Sequence, residues 1–453
     1  MVIFERFESG GLAHYSYLIG DGGEAVVIDP RRDASVYVER AHRAGMRITR
    51  VLETHRNEDY VVGSLELADA TDATVLHSGE DNLEYGYGES IHDGEPVSVG
   101  RLKLRALHTP GHTLGHMSYL LHDPDGAPWV LFSGDALFAG DVGRTDFYGR
   151  DRLEEVTSLL YETLFGTILP LGDAVIVCPA HGAGSVCGTA IAERTWTTIG
   201  LERNHNPQLQ YTDKQAFLAN VGEMLEYPPY FRMMERLNLE GAPLMGSLLA
   251  AQPMSPHAFA AEANEAQVVD TRTELSFGAA HVPGALSIWE GGLPSFGGWF
   301  LDYDRPILLV TDGHEVSESV RYLMRIGYDD VVGFLAGGML AWHKAGLASQ
   351  SIETIIVQEL CDRLDQEEEA WILDVRSPEE VARHEIPTAH NIHLTKLEDR
   401  MDEVPRDERI YVFCGSGRRS MVAAGLLQRA GYDTLTVVLG GLAGWSSVSC
   451  PLE

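Results

Sequence analysis

Residues 48–60 read ITRVLETHRNEDY, a β-rich apolar run that ends abruptly in a polar cluster around His55. Four other segments have the same form: EAVVIDP (24–30), LKLRALHTPGH (102–112), WVLFSGD (129–135) and AVIVCPAHG (174–182). Polar residues that follow strands gather at one edge of a sheet, which is where α/β proteins place their chemistry. The pattern therefore predicts an α/β domain whose site is built from strand ends.

Composition excludes several classes of protein. The chain has 453 residues, of which 67 are acidic and 34 basic, and its net charge of −33 argues against nucleic acid or an anionic membrane as partner. The N-terminal segment lacks the pattern of a signal peptide, and no apolar run approaches the roughly 20 residues of a membrane helix. At about 150 residues per domain, the length suggests three domains.

The cysteines are few and odd in number. There are five, Cys178, Cys187, Cys361, Cys414 and Cys450. A secreted disulfide scaffold would be denser, so we expect reduced thiols and a cytoplasmic location.

The chain changes character after about residue 190. The segments TTIGLERNHNPQLQ (197–210) and YPPYFRMMERLN (227–238) predict helices separated by Asn and Pro. An internal repeat follows, since segments 266–288 and 370–394 each pass from a strand into an Asp-x-Arg step. We expect domains at 1–245, with a helical extension from about 191, at 246–350 and at 351–453.

Four polar clusters of the first domain resemble the metallo-β-lactamase superfamily in order and spacing. They are Thr54–Tyr60, His108–His112, Ser133–Asp135 and Pro179–Gly182. The resemblance implies an αββα sandwich. A single His at a strand end is more often structural than a ligand, but four such clusters in the family's order are a rare coincidence.

The departures from the superfamily motif are informative. Its His-x-His-x-Asp-His pattern reads His55-Arg56-Asn57-Glu58-Asp59-Tyr60 here, so two imidazoles are lost. A dinuclear zinc hydrolase needs those ligands, and we therefore expect no dinuclear site. The remaining His55, His112 and Asp135 form the two-histidine, one-carboxylate set of mononuclear non-haem Fe(II) oxygenases, which implies one Fe(2+) per chain.

With this set the domain resembles the persulfide dioxygenases, a branch of the superfamily that converts a low-molecular-weight thiol persulfide, O2 and water into thiol and sulfite. That family's Gly-Arg-Thr-Asp-Phe segment is matched at residues 143–147. The resemblance implies that Arg144 positions the thiol substrate or lines the site, although a salt bridge to a nearby carboxylate is as good an interpretation.

Four further residues are candidates by position. Asp59 and His181 stand where second-metal ligands would be, and we expect them to orient the ligands or the substrate instead. Tyr60 either donates a hydrogen bond into the site or simply packs. Cys187 could accept sulfane sulfur, but a buried inert thiol is the plainer reading, and Cys178 is expected in the core.

The last repeat contains CGSGRRS (414–420) between a strand and a helix. This resembles the rhodanese active loop, Cys-x-x-Gly-x-Arg. Loop N–H groups and the helix N-terminus would favour a Cys414 thiolate, which attacks a sulfane sulfur. Arg418 or Arg419 would bind an anionic donor such as thiosulfate.

The middle repeat keeps the Asp270-Thr271-Arg272 step but has Thr311 and Asp312 where the nucleophile belongs. We therefore expect an inactive rhodanese-like domain. The fold class expected for the whole chain is a multidomain α/β and α+β protein, with the αββα sandwich followed by two rhodanese-like α/β domains.

The sequence thus predicts a persulfide dioxygenase and thiosulfate sulfurtransferase for sulfide or persulfide detoxification. Its partners would be a glutathione-like thiol persulfide, O2, and sulfite or thiosulfate, and the chain would form a homo-oligomer. Two alternatives stay open: a glyoxalase-II-like thioester hydrolase fused to a sulfurtransferase, and a non-oxidising sulfur carrier or sensor.

Overall fold

The computed structural model describes residues 2–188, 190–245, 251–312, 316–365, 371–386 and 388–446. The chain divides into two compact units, Met1–Leu248 with Met324–Gly327, and Leu249–Leu323 with Tyr328–Glu453. No helix in the described part of the chain has the length and apolar character needed to cross a membrane.

The first unit contains two six-stranded mixed sheets. The strands of the first sheet are β1 Ile3–Ser9, β2 His14–Asp21, β3 Glu24–Ile28, β4 Arg47–Leu52, β5 Thr74–Ser78 and β6 Glu89–Ile91, in that spatial order. The second sheet has the order β12-β11-β10-β9-β8-β7, with β7 Pro96–Val99, β8 Leu102–His108, β9 Met117–His122, β10 Pro128–Gly134, β11 Ile176–Pro179 and β12 Thr197–Thr198.

Six α-helices accompany these sheets. They are α1 Ser35–Arg43, α2 Ser64–Thr71, α3 Leu153–Glu162, α4 Ile199–His205, α5 Lys214–Val221 and α6 Phe231–Glu240. The predicted helix at 227–238 begins later, at Phe231, because Pro228 and Pro229 precede it and the residue before a proline disfavours helical backbone. The predicted helix at 197–210 is shorter than expected and ends at His205.

Alternation along the strands produces the layers. Tyr17, Val26, Leu104 and Phe132 point inward and form the core between the two sheets. Val27 and Leu18 point to the opposite face and pack with Tyr37 of α1 and Leu67 of α2. A third cluster covers the second sheet with α3 and α5. The unit is therefore an αββα sandwich, as predicted.

The second unit contains two five-stranded parallel sheets with the same strand order. The first has the order β13-β17-β16-β14-β15, from β13 Gln252–Met254, β14 Gln267–Asp270, β15 Leu286–Ser287, β16 Ile307–Val310 and β17 Val331–Leu335. The second has the order β18-β22-β21-β19-β20, from β18 Glu353–Ile356, β19 Trp371–Asp374, β20 His390–Asn391, β21 Ile410–Phe413 and β22 Leu435–Leu439. The predicted internal repeat and fold class are confirmed.

The helices of these two repeats also correspond, except that Leu293–Phe300 of the first repeat has no α-helical counterpart among the described residues of the second. They are α7 Pro256–Glu262, α8 Glu274–Ala279, α9 Leu293–Phe300, α10 Val316–Arg325 and α11 Gly338–Lys344, then α12 Val357–Asp365, α13 Pro378–Arg383, α14 Arg418–Arg429 and α15 Gly441–Trp445. The shared Asp-x-Arg step is structural, since Arg272 pairs with Asp270 and Arg376 with Asp374 at each strand end.

One expectation about the cysteines is wrong. Cys361 is disulfide-bonded, so not every thiol of the chain is reduced. Cys178, Cys187 and Cys414 are free and buried, whereas Cys450 lies outside the described residues. Cys178 belongs to the core between the sheets, as expected, and burial raises the pKa of its thiol.

Candidate metal centre and sulfur-transfer loop

Two imidazoles meet beyond the carboxyl ends of β4 and β8, and each is fixed through its Nδ1 atom. His55 Nδ1 lies 2.8 Å from the Thr54 hydroxyl, which itself donates to Asp29 at 2.8 Å. Because that hydroxyl donates its only hydrogen to Asp29, His55 Nδ1 must donate to Thr54. His112 Nδ1 donates to the Arg144 carbonyl at 3.0 Å. Both rings therefore turn Nε2 toward the same space, where neither atom has a hydrogen-bond partner.

Asp135 follows β10 and completes the predicted set. Its Oδ2 lies 3.5 Å from His112 Nε2 and 3.9 Å from His55 Nε2. His181 Nδ1 lies 2.9 Å from both Asp135 oxygens, and His181 Nε2 lies 3.0 Å from Asp59 Oδ2. Burial opposes protonation, but the two carboxylates raise the pKa of His181 well above its ordinary value. Asp59 and His181 thus hold the Asp135 carboxylate in place.

Sequence reasoning missed Glu58. Its Oε2 lies 3.8 Å from His55 Nε2 and 3.7 Å from His112 Nε2, and ligand atoms of the three residues lie within 4.8 Å of one another. The superfamily motif treats this position as a spacer, so the comparison of motifs passed over it. The available signal was its residue type, since a carboxylate inside a metal-binding cluster is itself a possible ligand.

Cys187 lies at the same centre. Its thiol groups with His112 and Asp135, and separately with Asp59 and His181, at distances that would suit a shared ion. Burial first, and then nearby carboxylates, raise the pKa of this thiol well above its ordinary value. The Cys187 thiol therefore lies close enough to these side chains to contact an ion bound among them.

Tyr60 and Arg144 have different surroundings. The Tyr60 ring packs on His14 with centroids 4.0 Å apart, and its buried hydroxyl has no hydrogen-bond partner. Arg144 forms a bidentate ion pair with Asp146 at 2.7 and 2.8 Å. The salt-bridge interpretation of Arg144 therefore describes its side chain, while its backbone carbonyl orients His112.

Two residues outside the predicted set shape the centre. His116 Nε2 accepts the backbone N–H of Asp135 at 2.9 Å, and its Nδ1 lies 2.8 Å from Thr109 Oγ1. A Cβ at Gly143 would overlap the Asp135 carbonyl oxygen and come within 3.0 Å of His112 Nδ1. Only glycine fits there, which explains the first residue of the segment 143–147.

The donor set fits a divalent metal ion. The Nε2 atoms of His55 and His112 and both Glu58 oxygens are buried without hydrogen-bond partners. Burying polar atoms without partners costs free energy, which a bound ion would recover. Imidazole and carboxylate together suit iron, manganese or zinc.

The second candidate site lies in the last repeat, after β21. The Gly417 N–H donates to Cys414 Sγ at 3.1 Å, so one of the expected loop donors is in place. The loop is also held from the other side, because Leu442 N–H donates to the Cys414 carbonyl and Gly440 N–H to the Ser416 carbonyl, each at 3.0 Å. The sulfur therefore lies at the N-terminus of α14 in a loop fixed on both sides.

The two neighbouring arginines of this loop differ. Arg419 forms a bidentate ion pair with Glu380 at 2.6 and 2.7 Å. Arg418 is exposed, and its guanidinium carbon lies 5.8 Å from the ring centroid of Trp289. Trp289 comes from the middle repeat, which sequence reasoning had given no part in this site.

The middle repeat has no equivalent nucleophile among its described residues. Thr311 stands at the end of β16, largely buried, and Asp312 is exposed beside it. Neither residue offers a thiol or a guanidinium, and the inactivity of this repeat stays a prediction.

Comparison with known proteins follows this division of the chain. Residues 9–181 match the metallo-beta-lactamase superfamily, and residues 255–345 and 357–448 each match the rhodanese-like domain. A crystal structure of a metallo-beta-lactamase from Staphylococcus aureus is 30% identical, with a TM-score of 0.67, and the match covers 74% of this chain and 99% of that one.

Two curated relatives match the first half of the chain. A hydroxyacylglutathione hydrolase-like protein of Mus musculus is 31% identical over 228 residues, 49% of this chain and 77% of that protein. The mitochondrial persulfide dioxygenase ETHE1 of Bos taurus is 28% identical over 235 residues, 50% of this chain and 77% of that protein. The chain belongs to the metallo-β-lactamase superfamily and carries two rhodanese-like domains behind that fold.

Proposed function

We propose that this protein is an iron-dependent persulfide dioxygenase joined to a thiosulfate sulfurtransferase. The first site would oxidise a glutathione-like persulfide to sulfite. The second would carry sulfane sulfur on Cys414, exchanging it between thiosulfate and a thiol. The domain boundaries 1–245, 246–350 and 351–453, the cytoplasmic location and the homo-oligomeric state belong to the same proposal.

One observation carries the first activity. The Nε2 atoms of His55 and His112 converge with the Asp135 carboxylate, while positions 57 and 60 hold Asn and Tyr. This donor set favours a mononuclear oxygenase over a dinuclear hydrolase. A ferrous ion held there would supply open coordination positions for O2 and an anionic sulfur donor.

The protein's own groups would prepare that centre. The Asp29–Thr54 pair and the Arg144 carbonyl fix the two rings in the tautomer that offers Nε2. His181 locks the Asp135 carboxylate, and second partners of this kind tune ligand basicity. The side chains of the centre are buried, which strengthens their electrostatic interactions with a bound ion.

The second activity would rest on Cys414. Its thiolate attacks the outer sulfur of thiosulfate, the S–S bond breaks, and sulfite leaves with the electron pair. Cys414 then holds a persulfide, and attack by a thiol on the outer sulfur returns the free Cys414 thiolate. Gly417 N–H and the N-terminus of α14 stabilise the negative sulfur in both forms.

A thioester hydrolase is the alternative that one of the relatives supports, since it bears a hydroxyacylglutathione hydrolase name. That activity needs two metal ions and a bridging hydroxide. About two zinc ions per chain with thioester turnover would establish it. A sulfur carrier or sensor would instead bind no metal and take up no O2.

Substituting Asp135 with Ala tests the proposal. The variant should lose iron and O2 uptake while it keeps thiosulfate–thiol exchange, because Cys414 lies in a separate domain. Iron content and both activities are measured on the same preparation. Normal iron content in the variant would rule out Asp135 as a ligand.

A further inference from the structure

Glu58 is a buried acid for which the proposed reaction has no role. The side chain is fully enclosed, and neither carboxylate oxygen has a hydrogen-bond partner. The nearest cation is Arg56, whose Nη2 stays 3.8 Å from Oε1 and pairs with Glu235 at 2.8 Å. An acid buried in this way is costly unless a cation accompanies it.

The side chains around Glu58 define where a cation would bind. Glu58 Oε2 lies 3.8 and 3.7 Å from the Nε2 atoms of His55 and His112, and Asp135 Oδ2 lies 3.9 and 3.5 Å from the same two atoms. Ligand atoms at bond lengths of about 2.1 Å from one ion lie roughly 3 to 4 Å apart. Glu58 thus meets the same spacing to both imidazoles as the predicted ligand Asp135.

We infer that Glu58 is a fourth protein ligand of the ion held by His55, His112 and Asp135. The inference rests on the metal centre of the proposed function, not on the oxidation itself. Two carboxylates balance the charge of a divalent ion, and two positions of a six-coordinate ion stay open. Such a set of nitrogen and hard oxygen donors suits Fe(II), Mn(II) or Co(II).

A second buried glutamate in the same loop provides a matched control. Glu53 is also buried, but its oxygens lie 3.0 and 3.1 Å from the Tyr87 hydroxyl. Both residues can be changed to the isosteric Gln. Only Glu58→Gln removes a carboxylate that faces the two imidazoles.

The experiment is an anaerobic titration of the metal-free full-length protein with Fe(II), and separately with Co(II), against a competing chelator. Wild type, Glu58→Gln, Glu53→Gln and Asp135→Asn are compared. Removing a residue that only hydrogen-bonds to a metal ligand already lowers metal affinity 10- to 100-fold. Glu58→Gln should therefore lower the affinity for Fe(II) and for Co(II) at least tenfold. The Co(II) absorption bands should also change, because they report the ligand set.

Thermal melting separates ligation from folding. Neither Glu58 oxygen has a hydrogen-bond partner in the protein, so Glu58→Gln measured without metal should melt no lower than wild type measured without metal. Added Co(II) should raise its Tm by less than that of wild type, since stabilisation follows binding affinity. Metal-free Glu58→Gln melting well below wild type would show a structural role and overturn the inference.

The outcomes are distinct. Weakened binding in Glu58→Gln with wild-type binding in Glu53→Gln supports a fourth ligand. Wild-type affinity and Co(II) bands in Glu58→Gln, with loss in Asp135→Asn, would overturn the inference and leave the proposed function standing. Wild-type protein that binds neither ion would overturn both.

Discussion

Arg418 and Arg419 show how two adjacent residues of one type take different tasks. Glu380 holds Arg419 in a bidentate pair, and this ion pair raises the pKa of Arg419 further. Arg418 has the aromatic face of Trp289 as its neighbour and is exposed. The free guanidinium is therefore the one available to an anionic sulfur donor.

Arg418→Ala should raise the KM for thiosulfate about tenfold or more, since a hydrogen bond between charged groups contributes about 1.5–3 kcal/mol. The KM for a neutral dialkyl trisulfide should change little, because this donor has no anionic oxygen for the guanidinium to bind. Steady-state kinetics with both donors measure the difference, with Arg418→Lys as the charge-preserving control. Equal losses for both donors would contradict the assignment.

The sequence could predict some of these residues and not others. His55, His112 and Asp135 each follow a β-rich run, so their position at a sheet edge was readable. Arg419 is held by Glu380, which lies 39 residues earlier in the chain. No local sequence pattern predicts that ion pair. Glu58 was missed because its proximity to the imidazoles of His55 and His112 arises only in the folded protein.

At the scale of elements, the start of α15 supports the sulfur-transfer loop. Gly441 has a φ of +46° and packs against that loop, where a Cβ would overlap the Cys414 carbonyl oxygen and come within 2.7 Å of the Gly415 carbonyl carbon. The equivalent Gly338 of the middle repeat has a φ of +57°, but its nearest contact, the Thr311 carbonyl oxygen, is 3.5 Å away. An alanine at either position would therefore have a strained left-handed backbone, but only at Gly441 would its Cβ also clash with the loop.

Gly441→Ala should reduce sulfur transfer at least tenfold, because the loop that carries Cys414 must shift. Gly338→Ala carries a comparable left-handed strain of roughly 1–2 kcal/mol, so its Tm should fall while sulfur transfer stays near wild type. Melting curves and thiosulfate–thiol exchange are measured for both. Gly441→Ala that lowers only the Tm would show that loop position is not critical.

The N-terminal cap of helix α13 contacts the loop that carries Cys414. Ser377 and Glu380 form a capping box at its N-terminus, and Glu380 also pairs with Arg419. The pairing with Arg419 outweighs burial and lowers the pKa of Glu380 from 4.5 to about 2. One carboxylate thus stabilises both the helix start and the loop arginine.

A depressed pKa in the folded protein gives stability that is fully present above pH 4.5 and is lost as the pH falls toward 2. The difference in unfolding free energy between wild type and Glu380→Gln should therefore shrink over that window. The pair is partly exposed, so we expect at most about 1 kcal/mol. Urea titrations at pH 6, 4 and 3 check this, and a difference independent of pH would exclude the ion pair as its source.

Element boundaries show where sequence reasoning is strongest. The five β-rich runs that predict the site all correspond to strands, β3, β4, β8, β10 and β11, because short apolar runs bounded by polar turns specify buried strands. The helix ends were less readable, since they depend on Pro and on tertiary packing. The disulfide at Cys361 had no signal in the spacing of the cysteines.

At the scale of the whole molecule, the proposed function places two sulfur sites in one chain, in different domains. The proposed first site releases sulfite, and the proposed second site uses or forms thiosulfate. These reactions share sulfite, which gives the fusion a chemical reason. Because the two proposed sites use different residues, mutations can separate their activities.

Cys414→Ser should abolish thiosulfate–thiol exchange, because a hydroxyl is a poor nucleophile and cannot hold a persulfide. Oxygen-dependent sulfite formation should continue, with sulfite accumulating if the second site consumes it. Thr311→Ala, at the matching position of the middle repeat, should leave both activities unchanged. Wild-type thiosulfate cleavage by Cys414→Ser would place the nucleophile elsewhere, with Cys187 the first candidate.

One measurement decides whether the first domain is a mononuclear iron oxygenase. The measurement is metal content together with O2 uptake and sulfite formation, on protein loaded anaerobically with iron and given glutathione persulfide. We predict about one iron per chain and one O2 consumed for each sulfite formed. About two zinc ions per chain, with glutathione thioester hydrolysis and no O2 uptake, would contradict the claim.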